Sequence, residues 1–515
     1  MNDDQDAVFA FLAEPPTHGL SEPVRRIDTN AAAVFLAGPD VYKVKRAVRF
    51  PFMDLSTLEK RRAVCEAEIA VNRPYAPSLY RGVVPVTRAP DGGLSLGGDG
   101  TPVEWAVHLA RFDETMTLDH VAERGELTPA LLKALAAAVT DGMARAEPRD
   151  GAAATEALAG VVDETAQSLV DHPEVFEPEA ARAFAAAIHD AFAALRPLLL
   201  DRGARGYVRR CHGDLHLRNI ALIDDKPVLF DAIEFDESIA TVDILYDLAF
   251  LLMDLWERDL QAEANTVLNR CLWTSPSLDD DLAGLAALPL FLALRAAVRA
   301  KIEALRFATV DHDRQARDDA RRYFDHARAF LEPVAPRLIA VGGHSGTGKT
   351  TLSRHIAHRI GRPVGAVHLR SDIERKRLMG VDELERLPAS AYEIDVTVRV
   401  FAALREQAGK ALAAGQSVIV DAVHNTPEER ALIADVAARH GVAFAGLWLF
   451  APVDILVDRI EHRTGDASDA TPAVVLLQAD QLSGEIDWTP LDASRGFDET
   501  AAAALRCIAA PTATG

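Results

Sequence analysis

The octapeptide Gly343–Thr350, GHSGTGKT, constrains this chain more than any other stretch. A strand-like run, LIAVG, precedes it and a helix-like run, TLSRHIAHRI, follows. Glycines at Gly343 and Gly348 permit backbone conformations and a close approach that a Cβ would block. The amides of Gly343, His344, Ser345, Gly346, Thr347 and Gly348, with those of Lys349, Thr350 and Thr351 at the helix start, then form a cradle for anionic oxygens. Lys349 is spaced to reach the β- and γ-phosphates of a nucleotide, and Thr350 to ligate Mg2+. The pattern predicts a strand, loop and helix that grip ATP.

At 515 residues the chain is too long for one ordinary core. Pro333 and Pro336 bracket a break before LIAVG, so a boundary is expected near 334, with one domain over 1–334 and a second over 335–515. Beyond the break, the strand-like runs LIAVG, AVHLR, SVIVDA and AFAGLWLF alternate with helical segments. That rhythm predicts an α/β domain with a doubly wound parallel sheet.

Three further features of this half carry chemistry. Asp372 follows AVHLR, and a carboxylate at the carboxyl edge of a parallel strand points into the ligand crevice. It can accept a hydroxyl proton, or cap the next helix. Asp421 ends SVIVD, where an acid holds Mg2+ or contacts substrate. Arg459 and Arg463, in DRIEHRTGDASDA, stand one helical turn apart before a Gly/Asp/Ser loop. They suit a lid over a transferring phosphate, or a solvated face paired with Asp458 and Glu461. Taken together, GHSGTGKT, SD, VIVDA and R-x-x-x-R with DASDA resemble the small-molecule P-loop kinases, among them gluconate kinase, chloramphenicol phosphotransferase, polynucleotide 5′-kinase and the zeta-toxin kinases. The resemblance covers about residues 337–505. It implies Asp372 as catalytic base and lid arginines on the transferred group, and it leaves the acceptor open.

The first half holds a second constellation, CHGDLHLRNIALIDDKPVLFDAIEFD. His212, Asp214 and Asn219 fit H-x-D-x-x-x-x-N, and Asp231 follows the apolar run VLF. In this pattern Asp214 orients and deprotonates an acceptor hydroxyl, Asn219 and Asp231 hold Mg2+, and His212 braces the loop. The stretch resembles the aminoglycoside phosphotransferase branch of the protein-kinase-like fold. That resemblance implies an α+β domain over roughly 25–330, with an N-lobe at about 25–112 and a C-lobe at about 113–334. It also requires a strand lysine for the α/β-phosphates and a helical glutamate to hold it. Lys43 and Lys45 lie on one face of VYKVKR, and Glu66 and Glu68 lie in CEAEIAV. Lys43 with Glu68 is the favoured pair. Only Gly38-Pro39-Asp40 precedes Lys43 where protein kinases carry a glycine-rich loop. Arg295 and Arg299, spaced i,i+4 on a late helix, suit either an anionic acceptor or surface pairing.

Composition excludes some alternatives. A net charge of −22 disfavours a nucleic-acid end kinase, because polyanion binding needs a basic surface. The four cysteines show no C-x-x-C spacing, so neither zinc nor a disulfide framework is expected. The acidic start MNDDQDAVFAFL is unlike a signal peptide, and the longest apolar stretch, near 441–453, falls short of the ~20 residues a span needs. The expectation is a cytoplasmic, ATP- and Mg2+-dependent phosphotransferase with small-molecule acceptors and no membrane partner. The pairing resembles bacterial fusions of an aminoglycoside phosphotransferase-like domain with a P-loop kinase. A second possibility is that one module is catalytic and the other a regulatory nucleotide site.

Overall fold

The structure, a computed structural model, describes residues 3–50, 53–309, 313–463, 465–481 and 485–509. The chain divides into two compact units, Met1–Leu158 with Leu199–Leu251, and Ala159–Leu198 with Leu252–Gly515.

The first unit contains a six-stranded antiparallel sheet. In spatial order its strands are Arg25–Asp28, Ala32–Ala37, Asp40–Lys45, Thr101–Ala110, Tyr80–Arg88 and Leu94–Leu96. The sequence predicts one hairpin over 27–47. That hairpin is present, with Ala32–Ala37 turning at Gly38 (φ 59°) into Asp40–Lys45, and a further strand, Arg25–Asp28, pairs with its first arm. The tip between the first two strands is Thr29-Asn30-Ala31, which has no glycine. One face of the sheet packs Phe35, Val44, Val86 and Ala106 against Val8, Phe9 and Leu12 of the helix Asp3–Ala13. Helix Leu58–Asn72 starts at Thr57, whose side chain accepts the Lys60 N–H. Its buried positions Arg61, Cys65, Glu68 and Asn72 recur at helical spacing, so a single face turns toward the sheet. That face is largely polar, and the polar groups are all partnered. Arg61, for instance, donates from Nε to both oxygens of Glu104 at 3.0 Å. A hairpin, Ile220–Ile223 and Lys226–Leu229, follows the His212–Asn219 segment. Its turn residues Asp224 and Asp225 both have positive φ, which matches the twist of a two-residue hairpin.

The second unit contains a five-stranded parallel sheet in the order Val367–Arg370, Val418–Asp421, Arg337–Gly342, Ala443–Phe450, Thr489–Asp492. The central strand is buried on both faces, as its unbroken apolar sequence requires. Ile339, Val341, Leu352, Ile356, Ile419, Leu447 and Leu449 form the core between sheet and helices. The last strand is unforeseen in the sequence. Its TPLD composition is weak for a strand, but Pro490 is tolerated because the strand lies at an edge.

Helices Gln261–Thr274, Leu288–Thr309 and Arg314–Leu331 belong to this same unit. The parallel sheet begins at Arg337, just past the expected boundary at 334, while the compact units divide the chain elsewhere. By length and hydropathy, Pro178–Ala204 and Leu278–Thr309 are of membrane-spanning size, and the second is mostly buried.

Candidate active sites

The strand Asp40–Lys45 presents Lys43 and Lys45 on one face, and the helix Leu58–Asn72 turns Glu68 toward them. Glu68 is fully buried and bridges both. Its Oε1 accepts from Lys43 Nζ at 3.0 Å, and its Oε2 lies 2.5 Å from Lys45 Nζ. Lys43 also donates to Asp231 Oδ1 at 2.8 Å, and Lys45 to Glu234 Oε1 at 2.5 Å. Glu66 is on the outer face, paired with Arg62 at 2.9 Å. Burial works against the Lys43 ammonium, but Asp231 and Glu68 hold it charged well above the usual lysine range. In turn the Lys43 charge holds the Asp231 carboxyl below the usual range.

Asp231 has φ 60° and remains 44% exposed, so it reaches both Lys43 and solvent. Its neighbours hold the backbone in this bend. The Asp231 N–H donates to Tyr80 Oη at 3.1 Å, and Asn72 takes both the N–H and the carbonyl of Ala232 at 2.7 and 3.1 Å. The loop before it is tied as firmly. Asp247 accepts the N–H groups of His212 and Gly213 at 3.1 and 2.9 Å. His212 is buried and donates from Nε2 to Phe230 O at 2.9 Å, and burial lowers its pKa so the ring stays neutral. Asn219 Nδ2 donates to Asp214 Oδ2 at 2.9 Å and to the Asp214 carbonyl at 3.0 Å. Asp214 keeps 39% of its side chain exposed, with His216 Nε2 at 3.4 Å. Lys43, Glu68 and Asp231 are thus brought together, and Asp214 with Asn219, the two groups joined where the Phe230 N–H donates to the Asn219 carbonyl at 3.0 Å. Asn72, Tyr80, Glu234 and Asp247 are supports that motif spacing misses. Of these, only Glu234 lies within the FDAIEFD stretch.

In the second unit, the loop Gly343–Gly348 joins the central strand to helix Lys349–Ala357. Gly343 has φ 132°, and a Cβ there would collide with the Leu449 carbonyl. Gly346 has φ 84°, and a Cβ there would lie 2.8 Å from the Leu456 carbonyl. The Ser345 N–H donates to Gln478 Oε1 at 2.8 Å, and the Thr347 side chain closes on the His344 carbonyl at 2.8 Å. Lys349 Nζ curls over the loop, donating to the carbonyls of Gly343 and His344 at 2.8 and 3.0 Å, and burial lowers its pKa. Thr350 Oγ1 donates to Asp421 Oδ2 at 2.5 Å.

Two residues beside Asp421 escape motif reading, although strand alternation puts them on one face: His368 Nε2 lies 3.4 Å from Asp421 Oδ2, and Arg370 Nε 3.7 Å. Burial would raise the Asp421 pKa, but His368, Arg370 and Lys349 together hold it below the usual range. His368 is neutral, its pKa lowered to about 4 by burial. Asp372 sits in the first turn of the helix Ser371–Met379. Burial raises its pKa, against the pull of Arg370 and Lys349, and among the described residues its carboxylate has no hydrogen bond or ion pair. Arg459 and Arg463 differ from their predicted arrangement. The helix ends at Glu461, so only Arg459 is helical. Arg459 reaches the carbonyls of Gly346 and Ala493 at 3.5 and 2.8 Å, and Arg463, on the following loop, those of Ser468 and Ala470 at 2.8 and 3.2 Å. Thr351 lies in the first turn after Thr350 and is exposed.

A phosphate-and-metal ligand fits these surroundings. His368 Nε2 and Arg370 Nε and Nη1 are buried without hydrogen-bond partners around the Thr350–Asp421 pair. Among the described residues no group of three or more His, Cys, Asp or Glu forms a ready-made cage. Mg2+ suits such a place because it binds through one or two protein oxygens plus substrate phosphates.

Residues 41–274 match the model of the phosphotransferase enzyme family, and residues 338–484 match that of the AAA domain. The chain fuses a phosphotransferase-family module to a P-loop kinase module. The fusion is an ATP-dependent kinase. Uncharacterized proteins of Mycobacterium tuberculosis and Mycobacterium bovis are each 29% identical to it over 470 residues, covering 90% of both chains. Among solved structures, a gluconokinase from Sinorhizobium meliloti is 23% identical, covering 34% of this chain and 92% of its own, with a TM-score of 0.26. A choline/ethanolamine kinase family protein from Mesorhizobium loti is 16% identical, covering 64% and 95%, with a TM-score of 0.40.

Proposed function

We propose that both modules transfer the γ-phosphoryl of ATP to hydroxyls of small molecules, the first within 1–334 and the second within 335–515, in a cytoplasmic enzyme. The observation that carries this reading is that each module sets a lysine and a carboxylate of phosphate-binding type close to a second carboxylate that this lysine does not hold. Lys43 holds Asp231, while Asp214, oriented by Asn219, keeps 39% of its side chain exposed. Lys349 lies near Asp421, while among the described residues Asp372 has no hydrogen bond or ion pair.

In the first module, Lys43, fixed by Glu68, reaches the ATP phosphates. Asp214 accepts the acceptor's proton as its oxygen bonds to the γ-phosphorus and the bond to the ADP oxygen breaks. Asn219 and Asp231 would hold Mg2+. In the second module, the loop amides and Lys349 cradle the phosphates, and Asp372 takes the acceptor proton. Its raised pKa suits a base, since it is more basic than an ordinary aspartate. Thr350 and Asp421 would hold Mg2+ there, and Arg459 and Arg463 would swing from backbone carbonyls to the transferring group. Bound Mg2+ shields the phosphate charge in both sites.

The test is transfer of labelled γ-phosphate from ATP across a library of small hydroxyl compounds, with wild type, Asp214→Asn and Lys349→Ala. Each variant should lose a different set of products. If one variant keeps every product, the bifunctional reading is wrong and that module serves as a nucleotide sensor.

A further inference from the structure

Strand Val367–Arg370 lies at the edge of the parallel sheet and has one strand neighbour, Val418–Asp421. Its open side would leave backbone donors and acceptors unmet. Helix Gln261–Thr274 meets them with side chains. Asn269 Oδ1 accepts the His368 N–H at 2.7 Å, and Trp273 Nε1 donates to the His368 carbonyl at 2.7 Å. Asn269 Nδ2 donates to Ala366 O at 3.2 Å, and Asn265 Nδ2 to Val364 O and Ala366 O at 2.9 and 3.0 Å. Both asparagines are buried. Apolar packing alone would let a helix slide along a sheet edge. Paired hydrogen bonds to alternate backbone groups fix its register.

The strand held in this way carries the side chains that flank Asp421. Trp273 touches both of them. Its ring stands edge-on to His368, with centroids 5.6 Å apart, and the Arg370 guanidinium lies 5.6 Å from its centroid. The helix lies inside the 41–274 match and outside the 338–484 match. The P-loop site is therefore braced by residues that its own sequence match does not include.

We propose that Asn269 and Trp273 are positioning residues of the P-loop site. They set the placement of His368 and Arg370, and through them the orientation of Asp421 toward Thr350. The proposal rests on the reading of that site as a nucleotide and Mg2+ site. Partners one step removed from a metal-holding group orient it, and their loss typically weakens metal binding.

The experiment uses the full chain carrying Lys43→Ala, which silences the first module, and measures binding of a non-hydrolysable ATP analogue by calorimetry. The titration is run with and without Mg2+. Trp273→Phe keeps an aromatic ring and drops the N–H donor, and Asn269→Leu keeps the branched shape and drops both hydrogen bonds to the strand. Each should raise the Mg2+ concentration for half-maximal binding about tenfold or more while leaving metal-free analogue binding unchanged. A Mg2+ dependence unchanged in folded Trp273→Phe would overturn the proposal and leave these contacts as packing. Analogue binding that survives Lys349→Ala in the same background would overturn the reading of the site itself, and the proposal with it.

Discussion

Lys43 Nζ and Asp231 Oδ1 meet at 2.8 Å across 188 positions of sequence. The contact ties the sheet of the first unit to the segment after Asn219, and it brings a cation to the exposed carboxylate expected to face Mg2+. Replacing Lys43 by Met removes a donor aimed at charge that develops during transfer, worth on the order of 100-fold in kcat. Steady-state transfer by the first module, read in a Lys349→Ala background, checks this.

Glu68 and Glu66 should separate sharply in stability. Glu68→Gln leaves two buried ammonium groups short of a partner, a loss of roughly 3 kcal/mol or more. Glu66→Gln removes an exposed pair and should shift stability by no more than about 0.5 kcal/mol. Chemical denaturation of both variants decides it, and equal effects would contradict the arrangement around Lys43 and Lys45.

Asp372 carries a pH signature. A general base must be deprotonated, so activity of the P-loop module falls as pH drops through its pKa. Because burial raises that pKa, the acid limb of kcat/KM should lie above the aspartate reference of 3.8. A raised carboxyl pKa also makes the ionised form a cost to the fold, present above the folded pKa and relieved below it. Asp372→Asn should therefore lose transfer yet melt higher than wild type at neutral pH. Lower melting would contradict the burial argument.

Gly346→Ala forces a side chain into positive φ and against the Leu456 carbonyl. Strain of about 1–3 kcal/mol corresponds to roughly fivefold to 150-fold weaker nucleotide binding. Fluorescent-nucleotide titration of the Lys43→Ala chain, with and without the substitution, measures it.

Much of this was readable from residue order because phosphate chemistry restricts local spacing. GHSGTGKT needs its glycines where φ is positive, and H-x-D-x-x-x-x-N needs Asp214 and Asn219 on one short loop. Four parallel strands announce themselves as apolar runs. What escaped depends on distant partners. Asn72 and Asp247 act through backbone groups far away in sequence, and no pattern marks an asparagine that clamps Ala232. Lys45 also holds Glu68, because a strand's period of two puts both lysines on the same face. The helix around Arg459 looked long enough to include Arg463, but it stops at Glu461 and leaves the second arginine to the loop. Where Arg463 lies thus reflects loop conformation, which spacing alone does not encode.

The side chains of Asn265, Asn269 and Trp273 also bear on where this polypeptide can be cut. A fragment starting at residue 335 would keep the whole phosphate loop but strip the cover from Val364, Ala366 and His368. Its bare outer strand would then invite pairing with other copies, so such a fragment should precipitate or self-associate. One starting before Gln261 would keep its edge shielded and stay dispersed.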